Sequence, residues 1–397
     1  MMIEIAERPS VGIARAREQV RPLAFLRRLD WVLMSATLAL VAYGLWAVAG
    51  ITRFDVLGDE NYFVLRQGFA AALGGAGMLV AILVPPDVWR RNWRVIYFGT
   101  LGLMLIVFMA AETVRGSRRW LDLGVIQFQP SELGKVLFVL AIAGFLVERA
   151  GRITRWRTVF SALGLGVVPI LLVFMQPDLG TALVYSAALM AALFFVGVRW
   201  RQLVVLLLAG VIGVVAVLWL LPSAGIEVLK PYQTDRLTGF LDPERDPRNL
   251  TWNVNQSMTA VGAGGLTGRG VVEASQTRSD YLPEHATDFA FASLAEQRGF
   301  VGSSILLLLY LLVVWRGLRV ITVAGDLYGA VVAGALVCAL LFQVFVNVGM
   351  TMGVAPVTGI PLPFVTVGGS SLVTNLVLVG VLQSIHARGL LSGRGGP

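Results

Sequence analysis

Tyr281-Leu282-Pro283-Glu284-His285-Ala286-Thr287-Asp288-Phe289 is the stretch at which a long polar segment runs into a long apolar one. Asp288 is the last acidic group before that apolar run, and Glu296 and Arg298 follow within the first helical turns. Ionisable side chains at such a depth are costly, so they usually face a wet cavity and act there. A plainer reading makes Asp288 the N-cap of a helix beginning at Phe289. Spacing alone leaves both readings open.

Working outward, the composition sets the class. The chain has 397 residues, of which 56% are hydrophobic and only 14% charged, and its mean hydropathy is +0.76. A soluble domain carries about a quarter charged residues, so this is a polytopic membrane protein. Cys338, alone in an apolar run, builds no disulfide framework. With His285 and His386 the only histidines, no ligand set for a zinc site is apparent.

Apolar runs of the length that crosses a bilayer, about 20 residues, fall at 31–51, 64–84, 95–112, 131–148, 158–175, 179–198, 202–221, 289–315, 327–350 and 364–386. The expected fold is all-α, with ten transmembrane helices in one domain over 31–386, a basic tail at 1–30 and a short tail at 387–397. Counting alternate gaps from a cytoplasmic N-terminus collects Arg8, Arg15, Arg17, Arg21, Arg27, Arg28, Arg90, Arg91, Arg94, Arg149, Arg152, Arg155, Arg157, Arg199, Arg201, Arg316, Arg319, Arg388 and Arg394 on one side. That is more than half of the 32 Lys and Arg residues, mostly in very short segments. This positive-inside bias puts both termini in the cytoplasm. The net charge of +8 is thereby a topology signal and not a nucleic-acid one. Residues 31–51 are too long for a cleaved signal core and read as an uncleaved anchor.

Four segments then face outward. The first, 52–63, is short and acidic. The second, 113–130, holds Arg115, Arg118, Arg119, Trp120, Asp122 and Gln127 and leads into Ser131-Glu132-Leu133-Gly134-Lys135. Glu132 and Lys135, three apart, share a helix face and are able to pair. Near the outer surface Gln176-Pro177-Asp178-Leu179-Gly180 breaks two spans, and Asp178 suits a helix start. The third segment, 222–287, between the seventh and eighth helices, is far longer than the other gaps, as functional or disordered loops are. Scattered Leu229, Tyr232, Leu237, Phe240 and Trp252 argue against disorder. Lys230, Arg236, Arg245, Arg248, Arg269 and Arg278 lie on the side that positive-inside sorting disfavours and suggest an anionic ligand. Gly262, Gly264, Gly265, Gly268 and Gly270 are too irregular for a dinucleotide fingerprint and suit a tight fold at the membrane surface. The fourth segment, 351–363, is stiffened by Pro356, Pro361 and Pro363 and runs into Gly368-Gly369-Ser370-Ser371. Such small residues let helices approach closely, and a helix start rich in amides also suits a diphosphate.

Taken in order, several of these stretches resemble one family. They are Arg119-Trp120-Leu121-Asp122-Leu123-Gly124, Gln129-Pro130-Ser131-Glu132, Gln176-Pro177-Asp178-Leu179-Gly180-Thr181, and Pro283-Glu284 through Thr287-Asp288-Phe289. Asn347-Val348-Gly349-Met350, Pro361-Leu362-Pro363 and Gly368-Gly369-Ser370-Ser371 complete the set. The chain resembles the SEDS family, the shape, elongation, division and sporulation proteins that include RodA and FtsW, from its first span to its tenth. Gly359-Ile360-Pro361-Leu362-Pro363 is more similar to the elongation branch. One departure stands out: where the family commonly has His in Pro-Glu-any-His-Thr-Asp, this chain has Ala286, with His285 before it.

The resemblance implies a peptidoglycan glycosyltransferase in the bacterial cytoplasmic membrane. It would polymerise lipid II into β-1,4 strands on the extracytoplasmic side, with Asp288 as general base and undecaprenyl diphosphate leaving. Arg118, Arg119, Lys135 and Arg236 become the candidates to hold diphosphate, with Ser370 at the helix start. Glu132 and Asp178 would position Lys135 or share a divalent cation such as Mg or Mn, although no dedicated metal cage is evident. Glu284, one turn from Asp288, is the candidate to substitute for it in part. The implied partners are lipid II, the nascent glycan, a class B penicillin-binding protein and other elongation proteins, with no nucleic acid. The rival class is a transporter, above all a lipid II flippase. Against it, the two halves show no repeat, and the richest polar segment lies outside, not at the midplane where carriers bind.

Overall fold

The computed structural model describes residues 26–56, 58–110, 119–122, 127–225, 250–279 and 281–392. Helix α1 (Trp31–Ile51) starts where the Asp30 carboxylate accepts from the Leu33 amide at 3.0 Å, an N-cap that satisfies one of the helix's orphan donors. Then come α2 (Tyr62–Leu83), the short α3 (Pro86–Arg91) and α4 (Trp93–Ala110). A ribbon of β1 (Leu121–Asp122) and β2 (Gln127–Phe128) follows, antiparallel with Leu121 opposite Phe128. It is a small departure from the all-α expectation.

Next are α5 (Pro130–Glu148), α6 (Trp156–Met175), α7 (Leu179–Phe195) and α8 (Trp200–Ser223), which passes through a π-helical turn at Ala216–Leu220 just before Pro222. After α9 (Leu250–Ala263) and two single turns, α10 (Gly270–Glu273) and α11 (Ser275–Arg278), the chain enters α12 (Ala290–Val323), α13 (Leu327–Thr351) and α14 (Gly369–Gly389).

Each expected span meets a helix. Eight of these helices, α1, α2, α5, α6, α8, α12, α13 and α14, are long and apolar enough to cross a membrane, while α4 and α7 are apolar but shorter. The chain is thus a polytopic helical membrane protein. In α5, α13 and α14 most of the apolar stretch is buried, whereas the apolar stretch of α8 has no buried residue. Leu207, Leu208, Val211 and Ile212 all face outward, as suits a helix solvated by lipid. The inner helices carry the polar groups: Ser371, Thr374, Asn375, Gln383 and Ser384 of α14 are buried. Small residues bring α14 close to α2, for a Cβ on Gly380 would lie 2.5 Å from the Met78 carbonyl oxygen.

Three boundaries differ from the hydropathy reading. The last long helix begins at Gly369 and runs to Gly389, not from 364 to 386, because Phe364 is held at φ +67 and residues 364–368 turn. The helix after Asp288 begins at Ala290, with Phe289 at the cap position. That helix is also two helices end to end, since Gly299 (φ 65, ψ −164) interrupts it. Where one span, 289–315, was expected, there is a short segment, 290–298, and a long one, 300–323, that runs past the expected end. Hydropathy averages across a single glycine and cannot show such a break.

The glycine-rich segment 262–270 closes against this break. A Cβ on Gly264 would sit 2.0 Å from the Ala295 carbonyl oxygen, and one on Gly268 2.3 Å from that of Gln297. Phe300 and Val301 donate their amides to the Gly265 and Leu266 carbonyls at 2.8 and 3.1 Å, which supplies partners for backbone groups the break releases. The tight fold expected of these glycines is what the structure holds. Substituting Gly299→Ala should lower the melting temperature of the purified protein. Its Cβ would lie 2.3 Å from the Gly268 amide nitrogen, and a non-glycine residue at positive φ costs about 1–3 kcal/mol by itself. Gly210→Ala, at a helical site with nothing within 4 Å, is the control and should melt as wild type.

Candidate active site

The turn 283–289 is shaped from within and clamped from outside. Glu284 takes the left-handed conformation (φ 55), and its carbonyl accepts the amides of Thr287 and Phe289, both at 3.1 Å. Its carboxylate accepts from Thr287 Oγ1 at 2.7 Å, so the group expected to stand in for Asp288 is engaged in shaping the turn. Asp288 itself is half-buried.

Three neighbours hold the turn's main chain. Asn347 of α13 donates from Nδ2 to the Asp288 carbonyl at 3.0 Å and to the Ile360 carbonyl at 2.7 Å. Thr366 Oγ1 donates to the Thr287 carbonyl at 3.0 Å while accepting from the Leu362 amide at 2.8 Å. The Val367 amide donates to the Ala286 carbonyl at 3.0 Å. Behind these, Gln67 of α2 donates to the Thr366 carbonyl at 3.0 Å, and Tyr310 of α12 donates its hydroxyl to the Pro363 carbonyl. Beneath the turn, Leu282, Phe289, Ala292, Val254, Ala260, Met350, Ala355 and Val357 form their own apolar cluster.

The acidic groups downstream have other roles. Glu296, 0% exposed, accepts from the Gln276 and Thr277 amides at 2.8 and 2.9 Å and from Thr277 Oγ1 at 2.7 Å. It secures α11 from a fully buried position. The Arg298 guanidinium lies over the Trp46 ring, 3.8 Å from its centroid.

A second polar cluster sits where α5, α7 and the β-ribbon meet. Lys135 donates to both carboxylate oxygens of Glu132 at 2.9 Å, and the two are 6% and 2% exposed. Asp178 caps α7 by accepting from the Thr181 amide at 3.0 Å, as its position beside Pro177 predicts. It also accepts from Gln129 Nε2 at 2.7 Å, and Arg119 lies 3.8 Å away. Tyr185 donates to the Ser131 carbonyl at 2.9 Å. Ser370 accepts from the Gln129 amide at 2.9 Å and donates to the Gln127 carbonyl at 2.7 Å. Its hydroxyl therefore fastens the ribbon to the start of α14. Arg118 and Arg236, the other expected diphosphate ligands, lie outside the described residues.

The two clusters are joined by the segment 358–370. A Cβ on Gly180, at the start of α7, would lie 2.6 Å from the Thr358 carbonyl oxygen, so α7 rests directly on that segment. Ile360 then leads to Asn347 and the Asp288 turn, and Ser370 leads to the ribbon. Among the described residues no group of three His, Cys, Asp or Glu comes together as a metal site. Glu132, Lys135, Asp178 and Asp288 were legible as candidates. Gln129 and Asn347 appeared only within the quoted motifs and without a role, and Gln67 and Thr366 were not singled out, although a lone amide within an apolar run, as at Gln67, is the signal by which it could have been found.

These features define a polytopic membrane protein with a buried ion pair and a clamped acidic turn, the two joined by one segment. The chain belongs to the FtsW, RodA and SpoVE family, described as cell cycle proteins, whose profile matches residues 27–389. It is 36% identical over 357 residues to the peptidoglycan glycosyltransferase MrdB of Escherichia coli (strain K12), covering 90% of this chain and 94% of that one. To the stage V sporulation protein E of Bacillus subtilis (strain 168) it is 37% identical over 367 residues, covering 90% and 96%. A chain of a solved peptidoglycan synthase complex, studied for the coordination of polymerization and crosslinking, superimposes with a TM-score of 0.77. It is 31% identical and covers 91% of this chain and 98% of that chain. The rod shape determining protein RodA of Thermus thermophilus gives a TM-score of 0.64 at 27% identity, covering 90% and 96%.

Removing one partner of a buried ion pair leaves an uncompensated charge and costs about 3–5 kcal/mol. Lys135→Met alone should therefore lower the melting temperature sharply, and Glu132→Gln combined with Lys135→Met should recover most of the loss. If Lys135 also binds the anionic part of a substrate, the recovered double variant stays inactive. Activity returning together with stability would confine the lysine to a structural role.

Proposed function

We propose that this chain is a peptidoglycan glycosyltransferase of cell-wall synthesis that polymerises lipid II, with Asp288 as general base. The observation that carries the reading is the turn itself: its main chain is fixed by Asn347, Thr366 and Val367, while Asp288 stays half-buried at its end. A positioned base contributes roughly 10²–10⁴-fold, and only if it does not drift.

In the reaction, the acceptor sugar's 4-hydroxyl oxygen attacks the donor's anomeric carbon. The bond from that carbon to the diphosphate oxygen breaks, the hydroxyl proton passes to the Asp288 carboxylate, and undecaprenyl diphosphate departs. Direct displacement inverts the anomeric centre and gives β-1,4 strands. Arg119 and Lys135, with Arg118 and Arg236, are the proposed cations for the diphosphate, since placed cations stabilise developing charge. The helix cap position falls at Phe289, one residue after Asp288.

For topology we propose ten crossings, both termini in the cytoplasm, and the loop containing α9 on the outer side with Asp288. The ion pairs Arg90–Asp326, Arg94–Glu148 and Arg316–Asp30 involve the short arginine-rich gaps that carry the positive-inside bias, and the turn of Asp288 lies at the other end of α12 from Val323. Likeness to a chain of a peptidoglycan synthase complex supports a class B penicillin-binding protein as partner, and likeness to RodA supports the elongation role.

Asp288→Asn preserves shape, so the variant should express and melt as wild type. It should give no glycan ladder from labelled lipid II, a loss of about 100-fold or more, while Glu284→Gln keeps partial activity. A ladder of wild-type intensity from Asp288→Asn would move the base elsewhere, and lipid II crossing liposomes without any ladder would mark a flippase. In a Cys338→Ala background, cysteine at Thr267 should react with an impermeant thiol reagent from outside, and cysteine at Gly151 should not. The reverse pattern overturns the orientation.

A further inference from the structure

We infer that His285 and Asp55 form a positioning pair that ties the connection between α1 and α2 to the Asp288 turn. The inference rests on the polymerase reading above and adds two residues to its machinery.

His285 Nε2 lies 3.0 and 3.2 Å from the two carboxylate oxygens of Asp55, residues 230 apart in sequence. Their side chains are 13% and 22% exposed. An ionised carboxylate only accepts, so Nε2 carries the proton and donates, and hydrogen bonds to a charged partner are the strong ones. Asp55 is itself held on an ordered turn. Its amide donates to the Thr52 carbonyl at 3.3 Å, the neighbouring Arg53 pairs with Glu60 at 3.0 Å, and Arg278 of α11 lies over Phe54 at 5.1 Å.

The turn needs such an outer hold. Glu284, next to His285, takes a left-handed conformation (φ 55), and strained backbone persists only where its surroundings over-determine it. Asn347, Thr366 and Val367 grip the turn from the side of α13 and the 360–367 segment. Asp55 grips it from the α1–α2 side, and the His285 carbonyl accepts from Ser293 Oγ at 3.0 Å. His285 is three residues from Asp288, and any swing of one carries the other. Misplacing a reacting group by 1 Å costs on the order of 10²-fold. Loss of the pair should therefore slow the chemical step and leave lipid II binding nearly intact.

The test uses the full chain, purified with its penicillin-binding partner and given labelled lipid II. His285→Ala and Asp55→Ala should each lower kcat about 10-fold, with KM changed less than about twofold. The double variant should be no slower than the worse single, because both remove the same contact. His285→Gln, which keeps an N–H donor, should restore most of the rate, and Asp55→Asn covers the case in which the alanine variant does not fold. Wild-type rates, additive losses or a change confined to KM would overturn the pair. Hydrogen exchange at the amides of Ala286, Thr287 and Phe289 reads it without catalysis and should quicken in either alanine variant. If the wild-type chain makes no glycan, the polymerase reading fails, and exchange alone still decides: unchanged exchange in Asp55→Ala or Asp55→Asn removes the pair.

Discussion

The carboxamide of Asn347 donates to two main-chain carbonyls at once, Asp288 at 3.0 Å and Ile360 at 2.7 Å. It comes from a helix in the middle of the bundle and is 0% exposed. The constraint behind it is general: buried backbone polar groups outside regular structure must find partners inside the protein. Here two irregular segments, 283–289 and 358–368, satisfy each other with Asn347 and Thr366 between them. Without that junction the turn bearing Asp288 would keep its local hydrogen bonds but lose its place relative to α13.

The same constraint governs the charges. Lys135 answers Glu132, Asp30 answers Arg316 at 2.7 Å, and Glu296 answers the first amides of α11. Asp30 shows how closely these devices are combined, for it caps α1 while its amide and carbonyl exchange hydrogen bonds with the Gln383 carboxamide. A buried charge with such partners is not evidence of chemistry, since paired ions often do no more than compensate one another. Asp288 sits at the end of a turn whose main chain is held at Ala286, Thr287 and Asp288 by three neighbours.

Around this rigid interior the apolar surface is permissive. Helix α8 is mostly exposed and touches the core through residues such as Leu203 and Leu206, whereas α5, α13 and α14 carry most of the burial. The polar clusters are coupled through the 358–370 segment, which touches α7 at Gly180, the Asp288 turn through Ile360, and the ribbon through Ser370. Two polar clusters fixed to one segment keep their mutual geometry.

Sequence by itself determined the membrane class and the approximate places of the helices, because hydropathy depends on local composition alone. Contacts of short range were legible for the same reason: Glu132 and Lys135 share a helix face, Asp178 caps the helix that follows it, and the glycines near 264 permit a close approach. The tertiary structure decided which acidic residues are taken up in holding the fold together. Glu296 looked as exposed to chemistry as Asp288 from depth alone, and only the fold of 264–279 back onto α12 gives it its three donors. It also moved the helix start from Phe289 to Ala290 and broke the helix at Gly299. The clamps lay beyond sequence reasoning because they join residues far apart: Gln67 to Thr366 across 299 positions, Gln129 to Ser370 across 241. No local pattern encodes such a pairing; it exists only once the helices have packed and left those polar groups no other partner.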